Sequence, residues 1–402
     1  MLAELKGFLS FEPNKKNAIT LLTIIFFVVI FFWRLGSLVP GLSSAEAANI
    51  TASHSLRSLY AHPIGAPHNI LIWLIFKLNH VSATYTRAVS AGFGLAFTVC
   101  FYKIARSWFG PMIGWLTTLL FATTPLVILA ARSATTSVMY LDPLALLAIY
   151  FWLARRAAPS NLGLILLGLA TLTCFYTPGG IYVLVIATIF GRAELSQLLE
   201  KYPRLLKWVL ALGFLVALAP LSLASHHDHQ VIRTLLLVPA HARDYGTWLS
   251  HVGWMALAIF WRSGTHGELQ LSRLGILNLA QLLLAACGIY AFWSRARAKI
   301  YGLVAILALA IVGAGTTNNL AILLLSVAAL LIFAGAGLRY LHIEWQSVFP
   351  RNPFPRVLAV ILMSCAVIFS VFYGVKYSLL AWPHNVSTRN IYVLKYPEKV
   401  RE

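Results

Sequence analysis

Acid is what this chain lacks most: 12 Asp and Glu stand against 31 Lys and Arg, and between Glu12 and Asp142 the one carboxylate is Glu46. Charged residues of both signs make up 11% of the chain and hydrophobic residues 59%. That balance excludes an ordinary soluble domain, in which about a quarter of the residues are charged. The period-two alternation of a membrane β-barrel is also missing. Four cysteines, Cys100, Cys174, Cys287 and Cys365, lie far apart inside apolar runs with no CxxC motif, so no disulfide framework is present. No P-loop or nucleotide-binding glycine motif occurs, which argues against ATP-driven or nucleotide-sugar chemistry. The cations form no single basic stripe on a soluble domain, which removes nucleic acid as a partner.

What fills the chain instead is apolar sequence of membrane-spanning length. A crossing helix needs about 20 apolar residues and must satisfy its own backbone hydrogen bonds. Such runs lie near 17–34, 84–104, 111–131, 137–154, 161–176, 179–191, 206–223, 275–293, 300–316, 318–336 and 357–376. The fold class is therefore all-α integral membrane, a single domain over 1–402 with about eleven transmembrane helices and a range of about ten to thirteen. The short run 179–191 shares the turn Thr177-Pro-Gly-Gly180 with its predecessor and predicts a tight hairpin. Trp248 to Trp261 is too short to cross comfortably and reads as interfacial; if it crosses, the C-terminus changes sides. The first run lacks a convincing cleavage site and reads as a signal anchor.

Cytoplasmic connections collect Lys and Arg. With the N-terminus in the cytoplasm, seventeen of the 31 basic residues fall inside, which makes the chain a multi-pass protein of the cell (plasma) membrane with its polar segments outside. Those outer segments are 35–83, 224–274 and the tail 377–402. In the first, two helices are expected to lie on the membrane, one from Ser43 to Leu59 with a Ser cap and Glu46 in its first turn, the other from His68 to Leu78 after the stiff Pro63-Ile-Gly-Ala-Pro67 link. Glu46 shares that loop with Arg57, His62, His68, Lys77 and Arg87. A lone acid in a basic loop at a membrane surface suits chemistry on an anionic lipid. The sequons Asn49-Ile-Thr51 and Asn385-Val-Ser387 are tripeptides of chance frequency.

The order of landmarks carries a resemblance. An acid-bearing loop after the first span is followed by His62-Pro63 with Pro67 and an apolar helix, then Arg87-Ala-Val-Ser90, Trp108-Phe-Gly110 and Ala131-Arg-Ser-Ala-Thr135. Phe349-Pro-Arg-Asn352, Ala381-Trp-Pro383 and Thr388 follow near the end. This arrangement resembles the GT-C glycosyltransferases, and is most similar to their bacterial protein mannosyltransferase and aminoarabinose transferase group. The resemblance implies transfer of a sugar from a polyprenyl-phosphate donor to a glycan, lipid or protein of the cell envelope on the non-cytoplasmic face. The group's first loop usually carries an Asp-Glu pair, for which this chain has Ala45 and Glu46. A second acid often follows the Arg equivalent to Arg132, where Thr135, Thr136 and Ser137 stand here, and Asp142 lies further on.

Inverting transfer from a sugar phosphate needs a base for the acceptor hydroxyl, cations for the leaving phosphate and a site that excludes water. Glu46 is the candidate base, with a helix N-terminal charge as its structural alternative. Arg57, Lys77, Arg87 and Arg132, with His62 and His68, are the candidate phosphate-binding residues, although Arg87 also suits snorkelling at a span end and Arg132 interfacial anchoring or a pairing with Asp142. Tyr176 beside Pro178-Gly-Gly180 is a further contact, since the glycines let backbone approach a ligand. No cofactor is demanded; a divalent metal is admitted by His226 and His229 of the run His226-His-Asp-His229, with Glu46 as a third ligand, against the reading of a solvated helix end. Two other functions stay open: a non-catalytic relative that binds a polyprenyl phosphate or a partner, and a secondary transporter, for which the chain shows no inverted repeat.

Overall fold

The computed structural model describes residues 16–78, 82–156, 158–239, 244–261, 268–271, 274–295, 297–348 and 353–396. Among them every regular element is helical, and strand-like pairing is confined to one isolated antiparallel bridge, Leu42 with Leu394. In chain order the helices are α1 (Lys16–Phe32), α2 (Ser44–Ala52), α3 (Leu56–Ala61), α4 (Ala66–Lys77), α5 (Ala83–Phe109), α6 (Pro111–Ala122), α7 (Pro125–Arg132), α8 (Asp142–Ala154), α9 (Asn161–Phe175), α10 (Gly180–Glu200), α11 (Arg204–His227), α12 (His229–Leu235), α13 (Tyr245–Phe260), α14 (Leu279–Arg295), α15 (Arg297–Thr317), α16 (Leu323–Val348), α17 (Pro353–Val375), α18 (Trp382–His384) and α19 (Val386–Ile391). Short 3-10 turns lead into α8 and α16, and a π-type stretch, Lys376–Ala381, carries α17 on into α18.

The bundle is organised around α16. Its residues Leu323 to Leu338 are buried without a break, as an apolar-all-round helix must be when it occupies a core. Its most intimate neighbour is α14, and there glycines decide the spacing: a Cβ on Gly288 would run into the Phe333 carbonyl, and one on Gly337 into that of Leu284. Close approach of backbones through small residues is how helices gain packing where lipid removes the hydrophobic drive. At the opposite extreme α11 buries only Ala224 and presents Leu205, Trp208, Leu212, Leu215 and Val216 outward, a face that suits lipid.

Among the described residues seven helices are long and apolar enough to cross a membrane, or eight if the bent pair α6 and α7 counts as one span. Three more apolar helical stretches, Leu22–Phe32, Asn161–Phe175 and Leu279–Trp293, are shorter. The protein is thus a multi-pass membrane protein. The run expected to end near 191 continues to Glu200, so the second arm of the Thr177–Gly180 hairpin is a full-length helix. The 62° bend between α6 and α7 has a local cause. Pro125 lacks an N–H and pushes Thr124 out of helical geometry, to ψ 130. The hydroxyls of Thr123 and Thr124 donate back to the carbonyls of Leu119 and Leu120 at 2.6 and 2.8 Å. The bend aims α7 at the end of α1, which sets up the site.

Candidate functional site

The first connection holds three short helices rather than the expected two. Helix α2 stops at Ala52 because Ser53, Ser55 and Ser58 offer their side chains as competing partners: the Ser53 hydroxyl donates to the Asn49 carbonyl, and Ser55 caps α3 by accepting from the Ser58 N–H. At the start of α2 a full capping box forms, with the Ser43 hydroxyl accepting from the Glu46 N–H at 3.1 Å and the Glu46 carboxylate accepting from the Ser43 N–H at 3.4 Å. Helix α4 starts from Gly65, whose φ of +68° is left-handed and whose missing side chain leaves room for Thr136.

Glu46 is 0% exposed and Arg87 2%. Their contact is bidentate: Arg87 Nε donates to Oε1 at 2.9 Å and an Nη2 hydrogen to Oε2 at 2.7 Å. Oε1 also accepts the Ala134 N–H at 2.8 Å. Arg87 spends its other donors on the carbonyls of Leu35 and Gly41 at 3.0 and 2.8 Å. The carboxylate thus accepts four hydrogen bonds and the guanidinium donates four of its five, the kind of partnering under which a buried pair is tolerated. The carboxylate has no free lone pair facing solvent from which to take a proton, and the guanidinium has no fork left for a phosphate. Together they tie α2, α5, the end of α1 and the chain after α7 to one point.

Arg132 behaves likewise. It donates to the carbonyls of Ile30 at 2.7 Å, Phe31 at 3.3 Å and Trp33 at 2.7 Å, so it caps the C-terminal end of α1, where a cation complements the helix dipole. It does not pair with Asp142, which is buried at the start of α8 and accepts from the Thr177 hydroxyl at 2.9 Å. His68 is fully buried, with Nε2 2.8 Å from the Ser90 hydroxyl and Nδ1 3.2 Å from the Asn69 amide oxygen. Burial pushes its pKa down to about 4, so it is neutral at physiological pH. Tyr176 is buried and donates to the Ala217 carbonyl at 2.5 Å, while its own carbonyl accepts the Gly65 N–H. Arg57, His62 and Lys77 are exposed on the helical platform, Lys77 with its ammonium 6.0 Å from the Trp73 ring centre.

His226 and His229, the candidate metal ligands, do not lie on one helix. Asp228, with φ −132° and ψ 106°, breaks the helix and caps the next one, so His226 lies in the last turn of α11 and His229 starts α12, both exposed. Among the described residues no group of three His, Cys, Asp or Glu side chains is placed to hold a metal, and Glu46 is committed elsewhere.

Two residues that sequence reasoning passed over complete the node. Tyr392, in the tail, is 2% exposed and lies with its ring centre 5.8 Å from the Arg87 guanidinium. The tail is held by the Leu42–Leu394 bridge, whose two hydrogen bonds measure 2.8 and 3.1 Å. The second is Glu268, half-buried in the polar segment 224–274. Its carboxylate lies near Ser43, Ala45 and Glu46. Burial pushes its pKa up, the Ser43 hydrogen bond pulls back, and the charge of Glu46 raises it further. Burial, then the charges of Glu46 and Glu268, likewise hold the Tyr392 phenol well above its usual value. The three polar segments, 35–83, 224–274 and 377–402, thus meet at one place. The one available signal was chemical scarcity: Glu268 is an acid in an acid-poor chain.

Residues 61–225 match the family of dolichyl-phosphate-mannose-protein mannosyltransferases. No curated protein sequence matches the chain. Among solved structures, ArnT from Cupriavidus metallidurans in the apo state shares the fold with a TM-score of 0.57 at 15% identity, over 94% of this chain and 77% of that one. The same protein bound to undecaprenyl phosphate gives 0.56 at 15% identity, over 93% and 77%. The chain thus carries a segment similar to that family inside a fold shared with ArnT along nearly its whole length.

Proposed function

We propose that the protein transfers a sugar from a polyprenyl-phosphate carrier to an acceptor of the cell envelope, at the non-cytoplasmic face of the plasma membrane. The observation that carries this reading is the fold shared over 93% of the chain with an ArnT that binds undecaprenyl phosphate, joined to the mannosyltransferase family match across residues 61–225. In this reading the exposed cations Arg57 and Lys77, with His62, receive the lipid phosphate at the membrane surface, because a phosphate that leaves with two charges needs nearby cations. Arg87, Arg132, His68, Tyr176 and Glu46 shape the platform from beneath. A second reading, a relative that binds the carrier without turning it over, draws on Ala45, which stands where the group has its Asp, and on the saturation of Glu46.

One experiment separates them. Purified protein in proteoliposomes is given polyprenyl-phosphate-linked mannose or aminoarabinose with an envelope extract as acceptor, and free polyprenyl phosphate and glycosylated product are measured. Transfer from either donor is the expected result. Binding of undecaprenyl phosphate with no turnover of any donor establishes the second reading and removes the first.

A further inference from the structure

The buried groups around Glu46 converge on one short stretch of backbone, the turn between α7 and α8. There the Ala134 N–H donates to Glu46 Oε1 at 2.8 Å, and the Ala134 carbonyl accepts from the Asn49 side chain at 2.9 Å. One residue on, the Thr135 carbonyl accepts from the Ser90 hydroxyl at 3.4 Å, and Ser90 is itself 2.8 Å from His68 Nε2. Helices α2, α4 and α5 thus fix this turn through buried side chains. What the turn leaves partly open is hydroxyl, since Thr135, Thr136 and Ser137 are all half-buried. They form a directed row. The Ser133 and Thr135 hydroxyls lie 2.8 Å apart, Thr135 donates to the Ser137 hydroxyl at 2.8 Å, and the Ser137 N–H donates back to Thr135 at 3.4 Å. The Ser137 oxygen therefore accepts, which leaves its own proton for a further acceptor, and no described residue supplies one. The Thr136 hydroxyl has no hydrogen-bond partner among the described residues either. Thr136 also borders the link between α3 and α4, where Gly65 leaves it room and the exposed His62 stands three residues before that glycine. The open end of the row offers donors and no charge. Of the acids tied to this turn, Glu46 is buried on Arg87, and Asp142, five residues beyond Ser137, is buried on Thr177. An ammonium group placed here would meet O–H donors rather than a carboxylate, whereas the oxygens of an uncharged sugar accept from them.

We propose that Thr136 and Ser137 form the sugar subsite: their O–H groups donate to oxygens of the sugar carried on the polyprenyl phosphate, and so favour a neutral hexose over an amino sugar. This rests on the transfer reading above, which supplies the lipid-linked sugar. The lipid phosphate stays with the exposed cations of the platform, so sugar and phosphate are held by different residues. Glu46, Arg87 and Asn49 are positioning residues in this arrangement, because they hold the Ala134 peptide from which the hydroxyl row extends. A donor fixed in advance loses little freedom on binding. A sugar without an oxygen at that place leaves the hydroxyl unpaired, which is how a neutral hydrogen bond discriminates.

Thr136→Val and Ser137→Ala, singly and together, test this in the full chain in lipid nanodiscs with no acceptor present. Binding is measured for undecaprenyl phosphate and for its mannose-linked and aminoarabinose-linked forms, with thermal unfolding followed alongside. A neutral hydrogen bond is worth about two- to tenfold in affinity. The double variant should therefore bind the mannose-linked lipid about tenfold more weakly than wild type, with the bare lipid within about twofold. Wild type should prefer the mannose-linked to the aminoarabinose-linked form, and the double variant should lose most of that preference. Asn49→Ala, which frees the Ala134 carbonyl, should weaken the mannose-linked form by at least about twofold and leave the bare lipid alone, a selectivity that a merely structural loss does not produce. Unchanged affinity of the double variant for the mannose-linked lipid overturns the assignment, whatever the transfer assay shows. An equal loss for bare and mannose-linked lipid also overturns it, because the hydroxyls then serve the phosphate. If the expected selectivity is found in a protein that turns over no donor, the subsite stands and the transfer reading falls. A wild type that binds none of the three lipids overturns both. Should the double variant fail to fold, Ser137→Ala alone decides, and a drop of less than about twofold for the mannose-linked lipid overturns the proposal.

Discussion

At the scale of single residues, Glu46 and Arg87 show how a scarce charge can be a strut. Removing one member of a buried pair strands the other in a low dielectric, which costs about 3–5 kcal/mol. Glu46→Gln is therefore expected to lower the unfolding temperature and the yield of folded protein, and any loss of activity should track that loss of fold. A double change of Glu46 and Arg87 to Gln and Met should recover part of the stability, because no bare charge is left; a double variant no more stable than Glu46→Gln would show that the pair is not coupled. His68 makes a second prediction at this scale. Its folded pKa of about 4 lies below its ordinary value of 6.5. A basic group with a depressed folded pKa gives stability that is fully present above 6.5 and is lost as pH falls toward 4, at about 1.4 kcal/mol for each pH unit crossed and about 3 kcal/mol in all. Thermal unfolding followed from pH 7 down to pH 4 should show this loss, and His68→Gln, which cannot titrate, should flatten that part of the curve.

At the scale of elements, the decisive events are helix ends. Arg132 closes α1 by donating to the carbonyls of Ile30, Phe31 and Trp33, and it arrives there because Pro125 bends α7 away from α6. Arg132→Met keeps most of the stem and removes the charge, so it should unfasten the last turn of α1 at a cost of about 3 kcal/mol, as hydrogen bonds to a charged group are worth about 1.5–3 kcal/mol each. Hydrogen exchange of residues 30–35 is the direct readout, and unchanged protection there would show that α1 holds its end without Arg132. Much at this scale was legible in the chain. The apolar runs marked the helices, since long hydrophobic stretches admit few alternatives in lipid, and Ser43 with Glu46 marked the start of α2. The break after Ala52 was harder to see, because it depends on which serine wins a backbone partner. The fate of Arg132 was harder still: a cation after an apolar run looks alike whether it meets a phosphate, a lipid headgroup or three carbonyls.

At the scale of the whole molecule, the node is made by segments that no local pattern connects. Sequence marked 35–83, 224–274 and 377–402 as the polar pieces, but not that Glu268 would meet Ala45 or that Tyr392 would cover Arg87. Those meetings are fixed by the packing of the helices between them, around the fully buried α16. The tail is the most separable of the three. It contributes the Leu42–Leu394 bridge and the buried Tyr392, and Gly41 lies so close to it that an added Cβ would sit 2.5 Å from the Leu394 carbonyl oxygen. A chain ended after Asn385 should therefore keep the helices of its bundle, because α16 packs chiefly on α14, α15 and α6, yet lose the cover over the ion pair. Water reaching Arg87 and Glu46 weakens their attraction and frees Ser43 and Ala45 to move. Hydrogen exchange at residues 42–46 should rise with far-ultraviolet circular dichroism unchanged, and the thermal transition should shift down by several degrees. Full protection of 42–46 in the shortened chain would mean that the first outer segment is held from below, by Arg87 and the Ala134 N–H alone, and that the tail is a passenger on the site.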